Sequence, residues 1–277
     1  MRLDKISENV YANCEGKTGG NVGVIVLDDR VAVVDAQFPA SGRDFRASIQ
    51  SVTDKPVTHL LLTHMHSDHV LGSPTFEDCE IVGHVRVKEK MEERLRTDWA
   101  PRNLEKMLED IKVNRPEMAR LYEGMRIVLP TETFVDSYTL DGVEVINTGG
   151  HTDCSSIVYV PEDRTLFAGD LIVPKSFLWA GDPTASPEAW IGGFRKMLER
   201  DVDIIVPGHG QPCDKEEVRT QLAYFEATRR VMVKLIAEGA SEEEAVNYDG
   251  YPDFYESTGG EKPHYMRAWY RILFNKS

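Results

Sequence analysis

Three imidazoles and a carboxylate crowd into six consecutive positions within Thr63-His64-Met65-His66-Ser67-Asp68-His69, directly after a mostly apolar run at 57–62 that reads as a strand. His64 and His66 are two residues apart and so face the same side of an extended chain, whereas Asp68 and His69 follow where the chain should already be turning. That layout offers two ligand clusters to two ions a few ångströms apart, as paired-metal hydrolytic sites require. Imidazole nitrogen and carboxylate oxygen suit zinc, and also manganese and iron. Any one of these residues alone would read as an ordinary surface or core residue. Together they would repel one another on protonation and gain nothing in packing, so a metal centre is expected.

The chain around this stretch alternates strand and helix. Residues 9–14 form a first short strand, and β-branched runs at 21–27 and 31–35 are joined by Asp28-Asp29-Arg30 as a hairpin. Asp35 ends that hairpin, and Pro39 opens a helix to about Val52. Ser67-Asp68 is expected to cap a short helix limited by Pro74. The second half repeats the order: runs at 157–160 and 165–168, then Asp170, a helix from about Pro187 to Arg200, and an apolar strand at 203–206 that delivers Pro207-Gly208-His209-Gly210. Hairpin, aspartate, helix, strand and histidine loop thus occur twice, the pattern of an internal structural duplication.

Between the halves, 85–125 is rich in Glu, Lys, Arg, Met and Leu with breaks at Pro101 and Pro116, which predicts two or three helices. Short strands follow at 132–134, 137–140 and 143–147. A long helix is expected at 215–238, an N-cap at Ser241, a turn-rich segment at 248–262, and a last amphipathic stretch at 264–274 begun by Pro263. The expected organisation is one domain over 1–277, with a helical insertion at about 85–130 able to cover a substrate cleft and a helical C-terminal extension at about 214–277.

Gly149-Gly150-His151-Thr152, Phe167-Ala168-Gly169-Asp170 and Gly208-His209 each set a candidate ligand at a strand end beside glycine, where a backbone can bend sharply. With the histidine stretch, these segments resemble the metallo-β-lactamase superfamily over roughly residues 10 to 215. The resemblance implies an α/β (α+β) fold, a four-layer αββα sandwich of two mixed sheets flanked by helices. It implies His64, His66 and His151 as ligands of one metal, Asp68, His69 and His209 as ligands of a second, and Asp170 as the bridge. An aspartate at 170 is similar to the glyoxalase II, lactonase and phosphodiesterase branches. True β-lactamases usually carry cysteine, serine or another residue there, so antibiotic hydrolysis is not expected.

The function so implied is that of a hydrolase with two divalent ions, zinc first and manganese or iron as alternatives, cleaving a small-molecule ester, thioester or lactone. Two cations sharing a water depress its pKa from near 16 toward roughly 7, and Asp68 is the residue expected to orient the resulting hydroxide. Lys175, Phe177 and Trp179 follow Asp170 closely and are candidates for the substrate mouth. Two rivals share the fold: a persulfide dioxygenase with one iron, and a phosphodiesterase or ribonuclease. A degenerate scaffold protein is disfavoured, because no ligand position is missing. Asp35 either accepts a hydrogen bond from a ligand histidine or caps a helix. His59 is left unassigned, His84 and Cys154 are expected in structural roles, and His264 and Tyr265 in surface or packing roles.

Composition narrows the partners. A net charge of −14 and an isoelectric point near 5.1 would be repelled by a phosphate backbone, which disfavours nucleic acid. Cys14, Cys79, Cys154 and Cys213 show no paired spacing, no apolar run approaches 18 residues, and the first residues carry no secretory pattern. A cytoplasmic protein with reduced thiols, a small-molecule substrate and no membrane partner is expected, and a homo-oligomer is compatible with it.

Overall fold

The computed structural model describes residues 1–255 and 261–275. Two β-sheets face one another between two layers of helices. The first sheet has seven strands in sequential order: β1 (Asp4–Lys5), β2 (Val10–Asn13), β3 (Val22–Val26), β4 (Val31–Val34), β5 (Val57–Leu61), β6 (Glu80–His84) and β7 (Glu132–Phe134). Its first four strands are antiparallel and its last four parallel. The second sheet holds β8 (Ser137–Leu140), β9 (Val143–Asn147), β10 (Ser156–Val160), β11 (Thr165–Gly169) and β12 (Ile204–Pro207), antiparallel except for the parallel β11/β12 pair.

Strand periodicity assigns each side chain to a layer. In β4, Ala32 and Val34 join Leu61, Val82, Val158, Phe167 and Val206 in the core between the sheets, whereas Val31 and Val33 face the helices outside the first sheet. In β10, Val158 and Val160 face inward, while Ile157 and Tyr159 pack on the outer helices of the second sheet. Both faces are buried, so these strands read as continuous apolar runs instead of alternating ones.

The helices are α1 (Pro39–Ile49), α2 (Ser67–Val70), α3 (Val85–Arg96), α4 (Pro101–Asn114), α5 (Pro116–Ala119), α6 (Pro187–Glu199), α7 (Lys215–Ala237), α8 (Glu242–Val246) and α9 (Glu261–Phe274). The duplicated order is present in space: β3–β4–α1–β5 and β10–β11–α6–β12 are each an antiparallel hairpin followed by a helix and a strand parallel to the last. Among the described residues no helix is long and apolar enough to cross a membrane.

Several local expectations shift. The two-residue β1 is too short to carry a period and was not expected. The first helix stops at Ile49, not about Val52. Ser67 lies inside α2, and His66 holds the N-cap position without a capping bond, because its ring is turned toward other histidines. The capping box at Ser241 is formed with Glu244. Helix α9 is described from Glu261 onward, so Pro263 lies inside it and does not open it. The expected turn-rich segment lies partly outside the described residues, at 256–260.

Candidate metal centre

Parallel strands end side by side, and their ends place every ligand candidate at one edge of the sandwich. β5 delivers His64 and His66, α2 carries Asp68 and His69, β11 runs into Asp170, and β12 runs into His209. The loop from β9 to β10 supplies His151. Two glycines make the approach possible. A Cβ on Gly208 would lie 2.0 Å from Asp170 Oδ1, and one on Gly20 would lie 2.3 Å from the His69 ring.

The donor atoms form two groups. His64, His66, His151 and Asp170 each bring a ligand atom within 4.8 Å of the others, and Asp68, His69 and His209 do the same. Asp170 stands between the groups. Its Oδ2 lies 3.5 Å from His151 Nε2 and 3.7 Å from His64 Nε2, while Oδ1 lies 3.2 Å from His69 Nε2 and 3.5 Å from His209 Nε2. Asp68 Oδ2 is 3.2 Å from His209 Nε2 and 3.7 Å from His69 Nε2.

The outward nitrogen of four of these rings is fixed by an oxygen. His151 Nδ1 donates to the Trp179 carbonyl at 3.0 Å, and His66 Nε2 faces Asp182 Oδ2 at 3.3 Å. His69 Nδ1 donates to Asp35 Oδ2 at 2.8 Å. His64 Nδ1 donates to Thr63 Oγ1 at 3.0 Å, whose own hydrogen goes to Asp35 Oδ2 at 2.7 Å. Asp35 therefore accepts from a candidate ligand histidine, and it holds the left-handed φ of 57° that brings its carboxylate there. In a neutral ring, a hydrogen on the outward nitrogen leaves a lone pair on the inward one. Inward lone pairs of His64 and His151 thus point at that of His66 across 3.1 and 2.9 Å, a contact that no hydrogen bond among neutral rings can satisfy. Buried His69 Nε2 and Asp170 Oδ1 likewise lack a hydrogen-bond partner among the described residues. Such a donor set fits divalent cations.

The electrostatics differ between the groups. Burial holds His64 well below the ordinary imidazole range and His151 down to about 4, so both are neutral donors. Burial also opposes charge on His69 and His209, yet Asp170 beside both outweighs it, holding His69 well above its usual range and His209 up at about 9. Burial would raise Asp170, but His69 and His209 keep it well below the usual carboxylate range.

A cavity of about 490 Å³ opens over these groups, walled by Phe38, Arg94, Tyr122, Val173, Phe177 and Trp179. Phe177 and Trp179 thus stand where a substrate contact was expected. Lys175 does not: it is exposed at a φ of 55°, its N–H donates to Glu217 Oε1, and it is absent from the cavity wall. His264 stacks behind Trp179, with centroids 6.3 Å apart. His59 lies within β5, and His84 caps α3 by accepting from the Arg86 N–H. Cys154 is buried, its thiol is pushed up to about 11 by that burial, and it pairs with Thr152 Oγ1 at 3.1 Å. Sequence reading did not single out Asp182 or Arg94. The Gly181-Asp182-Pro183-Thr184 run signals a turn, with Asp182 Oδ1 accepting from the Thr184 N–H, but carries no hint of His66.

A profile of the Metallo-beta-lactamase superfamily matches residues 16–209, and the chain belongs to that superfamily. It is similar to the linear primary-alkylsulfatase of Pseudomonas sp. (strain ATCC 19151), 23% identical over 292 residues that cover 90% of this chain and 53% of the relative. Among solved structures, the sec-alkylsulfatase Pisa1 from Pseudomonas sp. superposes with a TM-score of 0.74 at 18% identity, over 97% of this chain and 49% of the other. The DIM-1 metallo-beta-lactamase does so with 0.62 at 17% identity, over 81% and 96%. The chain spans about half the length of either alkylsulfatase. At these identities the structures establish the fold: two mixed sheets flanked by helices.

Proposed function

We propose that this chain is a dinuclear metal hydrolase of the glyoxalase II or lactonase-like kind, zinc-dependent, with manganese or iron as alternatives, acting on an ester, thioester or lactone of a small molecule. The observation that carries the reading is Asp170, one carboxylate oxygen of which faces each donor group. His64, His66 and His151 would hold one ion, and Asp68, His69 and His209 the other, with Asp170 shared. Two such ions lower the pKa of a water held between them and polarise the oxygen of the scissile group.

The chain's own residues do the rest. Asp68, which lines the cavity with its side chain 27% exposed, orients the attacking water. Phe177 and Trp179 exclude solvent from the reacting group. The helical block at about 85–130 forms part of the cavity wall, and the helices from about 214 onward pack over the second sheet within one domain. The free thiols of all four cysteines support a cytoplasmic setting. A sulfate ester is a second substrate class, favoured by the similarity to the linear primary-alkylsulfatase.

Elemental analysis of protein purified without chelator, followed by a screen of carboxylic esters, thioesters, lactones and sulfate esters, tests the reading. Close to two zinc or manganese ions per chain with turnover of one class is expected. One iron with oxygen consumption would replace the hydrolase by the dioxygenase alternative, and turnover confined to phosphodiesters or RNA would favour the nuclease alternative.

A further inference from the structure

We propose that the site takes an organic anion and that Arg94 selects it. This names the substrate class of the hydrolase site proposed above and rests on that reading. Arg86, Lys90 and Arg94 are spaced four residues apart on α3 and so form one row along the helix. The first two are paired with carboxylates of the site loops. Arg86 Nη2 lies 3.0 Å from Asp153 Oδ2, and Lys90 Nζ lies 3.2 Å from Asp153 Oδ1 and 4.0 Å from Asp182 Oδ1. Asp153 follows His151 by two residues, and Asp182 faces His66, so this row clamps α3 to the edge of the metal centre.

Arg94 continues the row onto the cavity wall. Arg94 is half-buried and its guanidinium lies over the Trp99 ring at 5.1 Å, yet among the described residues it has no carboxylate within ion-pair distance and no side-chain hydrogen bond. The chain carries 46 acidic residues against 32 lysines and arginines, so an unpaired guanidinium on the cavity wall runs against its composition. A planar fork of donors matches a carboxylate, sulfate or phosphate group. Beyond Ser67 and the candidate ligands, the remaining wall is mainly aromatic: Phe38 and Tyr122 are in ring contact at 5.0 Å, and Phe177 and Trp179 add aromatic surface. Arg94 holds the anionic group, and the aromatic wall holds an alkyl or aryl body.

Metal-loaded protein titrated calorimetrically with 4-phenylbutyrate and with its neutral counterpart 4-phenylbutyramide tests this. The wild type is expected to prefer the acid by roughly tenfold or more, Arg94→Gln to reduce that preference by about 10- to 100-fold, and Arg94→Lys to restore part of it, all at equal metal content. A wild type without preference for the acid, including one that binds neither probe, overturns the proposal. So does a preference that survives in Arg94→Gln, which would put the anion on the metals alone. Ester turnover by the wild type is scored separately: its absence would remove the hydrolase reading, while the titration still decides the role of Arg94.

Discussion

Asp35 Oδ2 accepts hydrogen bonds from both Thr63 Oγ1 at 2.7 Å and His69 Nδ1 at 2.8 Å, and its Oδ1 accepts from the Thr63 N–H at 2.8 Å. Through Thr63 it also orients His64, so one buried carboxylate fixes a ring in each donor group. Asp35→Ala is expected to lower metal affinity by about 10- to 100-fold and stability by about 2–4 kcal/mol, since it leaves buried donors unpaired. Asp35→Asn tolerates the left-handed backbone and should lose less stability. Chelator competition and thermal unfolding check both, and wild-type metal affinity in Asp35→Ala would refute the assignment.

Asp182 should act on one donor group alone, because its contact is with His66. Asp182→Ala is expected to weaken the ion that His64, His66 and His151 are proposed to hold about 10- to 100-fold while leaving the other near its wild-type affinity. Cobalt substitution followed by absorption titration resolves the two sites. Equal weakening of both would contradict this.

The two donor groups should differ in their proton balance. In metal-free protein at pH 7, His64 and His151 are neutral, whereas His69 and His209 are protonated, His209 up to about 9. Filling the second group therefore releases protons, and its affinity climbs as pH rises through about 9, where His209 titrates, while His64 and His151 release little. Without metal the sign reverses: a histidine pKa raised from 6.5 to about 9 stabilises the fold fully below 6.5, and that contribution is lost as pH rises through 9. Calorimetry in buffers of different ionisation enthalpy measures the release. Uptake of two ions without protons would sink the prediction.

Gly208→Ala places a methyl 2.0 Å from Asp170 Oδ1 and must displace that carboxylate. A loss of about 1–3 kcal/mol of stability is expected, together with loss of the shared-ligand geometry and most turnover. Unaltered turnover would mean that Asp170 does not bridge.

Asp170→Ala removes the proposed bridge from a strand end, outside the apolar core. Most activity should disappear while circular dichroism and the cooperative unfolding transition persist. An unchanged hydrolysis rate would move the bridge elsewhere.

The donor residues were legible because each stands in a short run whose neighbours are equally particular, as in Gly149-Gly150-His151 and Gly169-Asp170. The fold was legible because β4 and β10 bury both faces and so read as unbroken apolar runs. Contacts made across distant segments left no local trace. His66 and Asp182 are 116 residues apart, and Arg94 reads from sequence as one more charge on a solvated helix. Lys175 was placed at the mouth by its nearness to Asp170 in sequence, but the turn after Pro174 carries it outward to Glu217.

The donors come from the ends of both sheets: His64, His66, Asp68 and His69 follow the first sheet's β5, whereas His151, Asp170 and His209 follow β9, β11 and β12 of the second. Asn21, just before β3, crosses the same seam, its N–H donating to the Gly208 carbonyl at 2.7 Å and its Nδ2 to that of Pro207 at 2.8 Å. On the proposed ligand assignment, a bound ion is a rivet through two plates. The sheets cannot part without breaking coordination, so occupancy would set how slowly the sandwich opens as well as whether it reacts.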